Sequence, residues 1–388
     1  MRSGLIVVYH LSVQFPFAGI IWQLLHHLIG FRRLGLDVYY VEDSGGAWFY
    51  DPTTGAFLPD ATRNLKLVTS VLARHGFADH WAFRDSDSGE YLGMPESECT
   101  QLLRDADAII NLCGALDPRE EHANSRCLVY QGTDPGKFQV DLRQGKPKAV
   151  RCAAAHKVFF TYGYNLGSAD CLLPTGGLVW RPTRPPVLLD HWADFADLPD
   201  SGVFTTVGTW ENKGKDVQIN GEKYSWSKHI NFMMMRDVPN RSGQAIELAT
   251  DLRSGPDYER MISAGFRLRS AIPMSLDLDE YRKYVGTSRG EFTVAKDVVA
   301  RTRSGWFSDR SACYLAAGRP VVTQRTGFER SLPTGVGLFS FDNAEEAADA
   351  IRTVNGDYHR HSHAAREIAT EYFDASKLLD EIAEAAGL

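Results

Sequence analysis

The chain has 388 residues, and it lacks long hydrophobic runs, a surplus of basic residues and closely paired cysteines. No apolar stretch approaches the roughly 20 residues that a membrane-spanning helix needs. The apolar run near the start, Leu5–Tyr9, is too short for the hydrophobic region of a secretory signal. We therefore expect a cytoplasmic protein with no transmembrane segment.

Charge and cysteine usage exclude two further classes of protein. The formal net charge of −7 argues against a general nucleic-acid binder, which usually carries a basic face, although a local pocket for one small anion stays compatible with it. The six cysteines form no CxxC pair, which indicates reduced thiols rather than a disulfide framework or a zinc site. The histidine-rich stretch His359–His363 reads as a helix surface, and we expect no bound metal.

The order of apolar runs predicts an α/β protein with two parallel sheets. A chain of this length exceeds one ordinary core, and both halves alternate short apolar runs with helical patterns. We predict a Rossmann-like domain over 1–185, a linker over 186–202 and a second Rossmann-like domain over 203–371. A C-terminal helix at about 372–388 is expected to pack back on the first domain. Ligands should bind in the cleft at the carboxyl ends of the strands.

The stretch SGWFSDRSACYLAAGRPVV, Ser304–Val322, places a polar group at the start of an otherwise apolar helix. Ser308 or Asp309 suits the N-cap, and a helix N-terminus attracts anions. Hydroxyls of Ser308 and Ser311 and the guanidinium of Arg310 would complete a diphosphate site. Asp309 would either cap the helix or accept a hydroxyl of a sugar. An ordinary capped helix with an exposed arginine is the alternative.

The segment after this helix, AAGRPVV at Ala316–Val322, resembles the nucleotide-sugar half of GT-B glycosyltransferases. The wider stretch from Ser288 to Phe328 is similar to a bacterial branch labelled glycosyltransferase family 1, and the resemblance covers most of the chain. It implies a GT-B-like fold and transfer of a hexosyl or deoxyhexosyl group from a nucleoside-diphosphate sugar. The acceptor would be a small molecule or a glycan, and no cofactor is expected beside the co-substrate.

The resemblance also implies further donor contacts in the second domain. The turn in TTVGTWENKGKDV would supply Gly208, Thr209 and Lys213, although a plain turn with a solvated lysine fits the same residues. The following basic region would supply Lys296 and, less directly, Arg303, although it could equally be a solvated loop. Glu291 stands where GT-B proteins hold the base and ribose.

The acceptor side is expected in the first domain, where His10 directly follows the first strand. A neutral imidazole with an ordinary pKa of about 6.5 can take the proton of the attacking hydroxyl. A loop histidine bonded to the backbone is the alternative to this catalytic role. Asp134 is the rival base or an orienting carboxylate, and Asp43 is a third polar group near the cleft.

One departure from the family pattern bears on stereochemistry. Retaining members often carry two glutamates eight residues apart, and Gly305 and Cys313 occupy those positions here. The missing glutamate pair therefore favours an inverting transferase. We also expect it to be independent of a metal, with a homodimer possible. Two alternatives stay open: a nucleotide-sugar epimerase or hydrolase of the same fold, and a non-catalytic protein that binds sugar nucleotides.

Overall fold

The computed structural model describes residues 2–388 except Ser44, Ala47, Asn124 and Asp197. Its strands, in chain order, are β1 Leu5–Tyr9, β2 Asp37–Asp43, β3 Phe49–Asp51, β4 Ala56–Leu58, β5 Trp81–Arg84, β6 Tyr91–Leu92, β7 Ala108–Leu112, β8 Leu128–Gly132, β9 Val158–Thr161, β10 Arg181–Pro182, β11 Phe204–Val207, β12 Val217–Ile219, β13 Glu222–Tyr224, β14 Ile246–Thr250, β15 Phe266–Ser270, β16 Gly290–Thr293, β17 Val321–Gln324 and β18 Leu338–Phe341.

The helices follow the same alternation along the chain. They are α1 Ala18–Arg33, α2 Thr62–Arg74, α3 Glu96–Asp105, α4 Glu120–Ala123, α5 Lys137–Arg143, α6 Pro147–Ala155, α7 Asp190–Ala193, α8 His229–Met234, α9 Val238–Ser242, α10 Pro256–Ser263, α11 Ile272–Ser275, α12 Leu278–Gly286, α13 Asp297–Arg301, α14 Asp309–Ala316, α15 Ala344–Gly356, α16 Tyr358–Tyr372 and α17 Ala375–Ala385. A short 3-10 helix spans Phe328–Arg330.

The first sheet has the order β10-β9-β8-β7-β1-β2-β5-β6 in the described residues. All its neighbours pair in parallel except β5 and β6, which are antiparallel. Strands β1, β7 and β8 are almost fully buried, as expected for apolar runs covered on both faces. The order reverses between β1 and β7, so the loops that follow these two strands border a crevice.

The second sheet has the order β15-β14-β11-β16-β17-β18, and every neighbouring pair is parallel. Here the order reverses between β11 and β16. The residues after β11 begin at Gly208, and those after β16 lead to Lys296, so both lie at the position where open α/β sheets bind ligands. The prediction of an α/β protein with parallel sheets is confirmed.

The C-terminal helix, α17, packs against the helices that cover the first sheet. Helix α17 packs so closely on α1 that a Cβ added at Gly30 would stand 2.3 Å from Leu379 Cδ1. Arg2 Nε donates to Asp380 Oδ1 over 2.6 Å, which joins the first residues to the last helix. The domain limits given above stay a prediction, and Asp197 of the predicted linker lies outside the described residues.

Candidate functional site

Gly208, directly after β11, lies between two cationic side chains. A Cβ added at this glycine would stand 3.8 Å from Lys228 Nζ and 3.8 Å from Arg310 Nη1. The cavity beside this turn is lined by Gly208, Trp210 and Lys228 together with the ends of β11 and β14. The two cationic side chains beside the Gly208 turn create a positive potential that favours binding of an anion.

Lys228 is the less expected of the two cations, because its side chain is buried while its amine is unpaired. It is 8% exposed, and among the described residues its amine makes no hydrogen bond or ion pair. Burial lowers the pKa of Lys228 well below its ordinary value, and the neighbouring charge of Arg310 lowers this pKa further. A buried ammonium group is costly without a partner, so an anionic ligand at Gly208 would relieve this cost.

Arg310 is held in place by the second sheet. Its Nε donates to Glu291 Oε1 over 2.6 Å and its Nη2 to Thr293 Oγ1 over 3.0 Å, while Nη1 donates to the carbonyl of Val207. Glu291 is fully buried on β16. The expectation that Glu291 contacts a ribose therefore needs correction, because its carboxylate is enclosed and faces Arg310. We reassign Glu291 as the ion-pair partner that orients Arg310 toward Gly208.

The start of α14 carries the two serines of the predicted diphosphate site. Ser308 is the N-cap residue with an extended backbone, and its side chain makes no capping hydrogen bond. The hydroxyl of Ser311 is buried and has no partner in the described part of the chain. The Ser308 hydroxyl and the free backbone N–H groups of the first turn thus stay available to a ligand, whereas the Ser311 hydroxyl is enclosed.

Asp309, the next residue of that turn, faces the first domain. Its Oδ1 accepts a hydrogen bond from Gln23 Nε2 on α1 over 2.8 Å. Burial raises the pKa of Asp309 to about 6, and the charge of Asp134 raises this pKa further, while the hydrogen bond from Gln23 lowers it. The carboxylate therefore contacts α1 across the cleft.

His10 lies at the other end of the same hydrogen-bonded chain. Its Nε2 is 2.9 Å from Gln23 Oε1 and its Nδ1 is 2.8 Å from Ser12 Oγ, so both ring nitrogens are engaged. His10 is 1% exposed, and burial lowers its pKa to about 4. The imidazole is thus neutral near pH 7 and offers no free nitrogen to an acceptor, which does not favour the predicted role as base.

Asp134 and Lys296, predicted for opposite sides of the cleft, are in direct contact. Lys296 Nζ donates to Asp134 Oδ2 over 2.7 Å, and the same amine lies 4.6 Å from the ring centre of Trp226. Asp134 follows β8 of the first sheet and Lys296 follows β16 of the second. The pair therefore bridges the two sheets at the carboxyl ends of their strands.

Two other predicted cations and one hydroxyl stand apart from this group. Lys213 and Thr209 are exposed in the loop that follows Gly208, and the lysine beside that glycine is Lys228 rather than Lys213. Arg303 faces carboxylates of Glu329 and Asp342, each at 3.8 Å. The lysine closest to Gly208 is thus Lys228, and the phosphate role predicted for Lys213 stays a prediction, while Arg303 lies beside two carboxylates.

A loop of the first domain fixes the spacing of the two sheets. Asn165 Nδ2 donates to the carbonyls of Gly327 and Arg303 over 2.9 and 3.2 Å, and its backbone N–H donates to Ser304 over 3.0 Å. A Cβ added at Gly305 would lie 2.7 Å from the backbone nitrogen of Asn165. The absence of a side chain at Gly305 thus allows this close contact.

The described residues contain no group of three or more His, Cys, Asp or Glu side chains arranged to hold a metal ion. Within the same residues, none of the helices combines the length and the hydropathy that crossing a bilayer would require.

No protein-family model and no curated protein sequence matches the chain. Several solved structures do, over nearly the whole length. HepE of Anabaena in complex with UDP-glucose gives a TM-score of 0.58 at 16% identity, with 99% of each chain covered. AviGT4, a glycosyltransferase of avilamycin A biosynthesis, gives 0.56 at 10% identity, with 99% of this chain and 97% of that chain covered.

An alpha-glucosyltransferase in complex with UDP and a 13-mer DNA containing a HMU base gives a TM-score of 0.61 at 11% identity, with 100% of both chains covered. These structures are GT-B glycosyltransferases, and at such low identity the likeness establishes the fold. The chain has the GT-B fold, as its sequence predicted, while the family 1 label stays a prediction.

Proposed function

We propose that the protein is a glycosyltransferase that moves a hexosyl or deoxyhexosyl group from a nucleoside-diphosphate sugar to an acceptor hydroxyl. The observation that carries this proposal is the pair of cations at Gly208. Lys228 is buried without an anionic partner, and Arg310 is fixed beside it by Glu291. Both stand at the switch point of the second sheet, and the similar structures of HepE and the alpha-glucosyltransferase hold UDP-glucose or UDP.

The donor diphosphate would bind between Gly208 and the first turn of α14. Lys228 and Arg310 would face its oxygens from the sheet, and the hydroxyl of Ser308 would donate from the helix. When the bond from the anomeric carbon to the phosphate oxygen breaks, negative charge grows on the departing diphosphate. Preorganised donors act most strongly on such developing charge, so these protein cations could perform the step without a metal.

Asp134 is our candidate for the base. In the structure its carboxylate is held by Lys296, a residue that would also reach a donor phosphate. Donor binding would turn the amine of Lys296 toward the phosphate and leave the carboxylate free. The acceptor hydroxyl would then give its proton to Asp134 as its oxygen bonds to the anomeric carbon, which corresponds to inversion.

His10 receives a positioning role in this proposal. It is neutral and fully engaged, and through Gln23 it is linked to the Asp309 carboxylate. Asp309 would accept a hydroxyl of the donor sugar, since it faces the space between the domains. The imidazole would then fix the orientation of the Gln23 amide rather than take a proton.

The test is a donor-consumption assay with UDP-glucose and other nucleoside-diphosphate sugars, with and without an acceptor mixture, in the presence of EDTA. Product that forms only with acceptor supports transfer. Product without acceptor would instead indicate an epimerase or hydrolase, and binding without turnover would indicate a non-catalytic protein. Asp134→Asn should lower turnover by about 10²-fold or more if Asp134 is the base, and undiminished turnover would remove it from this role.

A further inference from the structure

Four aromatic rings form a cluster beside the loop that follows β1. We call Phe15, Phe17, Tyr50 and Phe57 the hairpin cluster, because the last two belong to the β3–β4 hairpin. Ring centres are 5.8 Å apart for Phe15 and Phe57, 5.5 Å for Tyr50 and Phe57, and 5.1 Å for Phe17 and Tyr50. None of these residues is part of the donor site described above, and all four are partly exposed.

The hairpin is attached firmly to the first domain. The Tyr50 backbone N–H donates to the carbonyl of Gln14 over 2.9 Å. The Asn64 amide donates to the carbonyls of Val13 and Tyr50 over 2.9 and 3.1 Å. Phe49, on the opposite face of the strand, is buried against Phe83. The rings are therefore presented by an ordered support, which lowers the entropic cost of binding a ligand.

The hairpin cluster also borders the second domain. Phe17 precedes α1, where a Cβ added at Gly19 would lie 3.2 Å from the hydroxyl of Tyr281. The charge of Asp251 contributes to the raised pKa of Tyr50, for which partial burial is the largest cause. Asp251 in turn accepts the backbone N–H of Trp210, which lines the cavity at Gly208, over 2.6 Å. The cluster thus lies at the mouth of the cleft that holds the donor site.

This surface is largely apolar, with two arginines beside it: Arg63 Nη1 lies 3.0 Å from Asp51 Oδ1, and the charge of Arg253 acts on Tyr50. Phe57 is 45% exposed and its neighbours Trp48 and Leu58 are 54% and 40% exposed, so large apolar side chains face solvent in one short segment. Residues 48–60 include Asp51 and Asp60 but no lysine or arginine. Binding to an anionic bilayer relies on clusters of basic side chains. The arginine in contact with the hairpin, Arg63, is paired with Asp51, so this segment suits an uncharged ring system better than an anionic membrane surface.

We propose that the hairpin cluster binds the acceptor, and that the acceptor carries a flat, uncharged aromatic or polycyclic moiety. This inference rests on the proposed function, since it names the molecule that receives the sugar. Tyr50 and Phe57 stack on the ring system at the cleft mouth, and this contact directs the acceptor's hydroxyl inward toward Asp134 and the donor. Saccharide acceptors without such a moiety leave the exposed rings uncovered and bind more weakly.

The test uses 7-hydroxycoumarin as the acceptor probe and UDP as the donor probe, each titrated separately into the full-length protein. Stacking on one aromatic side chain contributes about 0.5–1.5 kcal/mol, so the Tyr50→Ser/Phe57→Ser variant should bind 7-hydroxycoumarin about tenfold more weakly. The matched control is Ile262→Ser on α10, where a similarly exposed side chain lies away from the cleft. UDP affinity should be the same in all three proteins.

The outcomes separate this inference from the proposed function. Weaker binding of 7-hydroxycoumarin in the double variant alone, with UDP binding intact, supports the inference. Equal affinity in the double variant, or no saturable binding by a wild type that binds UDP, overturns it. Binding of phosphatidylglycerol vesicles that the double variant loses would also overturn it and assign the surface to a membrane. A wild type that fails to bind UDP and other nucleoside diphosphates overturns the proposed function, and this inference with it.

Discussion

Asp309 and Arg310 are adjacent in the first turn of α14, yet they lie in opposite environments. Arg310 points into the second domain, where Glu291 balances it and Lys228 adds a second, unpaired cation. Asp309 points to the first domain, where its partner is the neutral amide of Gln23. One helix start therefore divides the cleft into a cationic side suited to phosphates and an acidic side suited to hydroxyls.

The comparison explains why a polar segment begins a buried helix. In the proposed reaction, a diphosphate would need positive charge on the side of the second sheet, whereas a sugar and an acceptor would need hydrogen-bond acceptors on the side of the first. Consecutive residues of a helix point about 100° apart, since 3.6 residues make one turn. Asp309 and Arg310 can thus serve both sides of the cleft from one turn. The following predictions test each side of this division, starting with the largest expected effect.

Arg310→Ala should lower the free energy of unfolding by about 3–5 kcal/mol, because it leaves the buried carboxylate of Glu291 without its partner. Adding Glu291→Gln should recover a large part of this loss, since a neutral amide costs less to bury unpaired than a charge. Urea unfolding at pH 7.5 measures both variants. A double variant as unstable as Arg310→Ala alone would show that the ion pair does not hold Arg310.

Asp309→Asn should change how stability depends on pH. The pKa of Asp309 is raised to about 6, so the folded state favours the protonated acid. Relative to the asparagine variant, wild-type stability should be fully retained below about pH 4 and should decline as the pH rises through 6. The total difference should be about 1–3 kcal/mol, because one pKa unit corresponds to about 1.4 kcal/mol.

Urea unfolding from pH 4 to pH 8 would measure this difference, with the exposed Asp79→Asn as the control for losing one carboxylate. The asparagine keeps an oxygen that can accept from Gln23, so the hydrogen bond across the cleft should persist. A constant difference between wild type and Asp309→Asn over this range would contradict the assigned environment of Asp309.

Among the predicted changes in unfolding free energy, the coupling between Asp134 and Lys296 should be the smallest. A double-mutant cycle with Asp134→Asn and Lys296→Met should give a coupling of about 0.2–1 kcal/mol in unfolding free energy, since the pair is partly exposed. With saturating UDP the coupling should vanish, because the amine would then face a phosphate. A coupling that is unchanged by UDP would separate Lys296 from the donor site.

Much of the fold could be predicted from periodicity, because long amphipathic and buried segments dominate it. Strand β1 coincides with the apolar run Leu5–Tyr9, and the stretch His359–His363 lies in helix α16. Helix α8 begins only at His229, because the backbone N–H groups of Ser225 and Trp226 donate to the carboxylates of Asp297 and Asp216. Such contacts between distant residues leave no local pattern.

The hairpins β3–β4 and β12–β13 had no place in the sequence prediction, since their strands have only three residues each. The second hairpin also explains why Lys228, and not Lys213, lies beside Gly208. It separates Gly208 from the start of α8, so the lysine next to the glycine in space is Lys228 and the one nearer in sequence, Lys213, is exposed. One sequence feature could have pointed to Lys228: it ends the segment Ser225–Lys228, just before a helical pattern.

Gln23 could not be identified from the sequence because it lies within the apolar pattern of α1, where a single amide looks incidental. Its role depends on a partner 286 residues away. His10 was recognised by its place after β1, but its burial and its two hydrogen bonds depend on packing that the sequence does not display. The location of a polar residue at a strand end could thus be predicted from the sequence. Its protonation state and its hydrogen-bond partners could not.

The most direct test of the account is a UDP titration of wild type and Lys228→Met by calorimetry, with urea unfolding of both proteins. Charged hydrogen bonds contribute about 1.5–3 kcal/mol, so the variant should bind UDP roughly 10- to 150-fold more weakly. Its free energy of unfolding should be unchanged or higher, because methionine removes a buried, unpaired cation. Equal UDP affinity in the two proteins would contradict the assignment of this pocket to a nucleoside diphosphate.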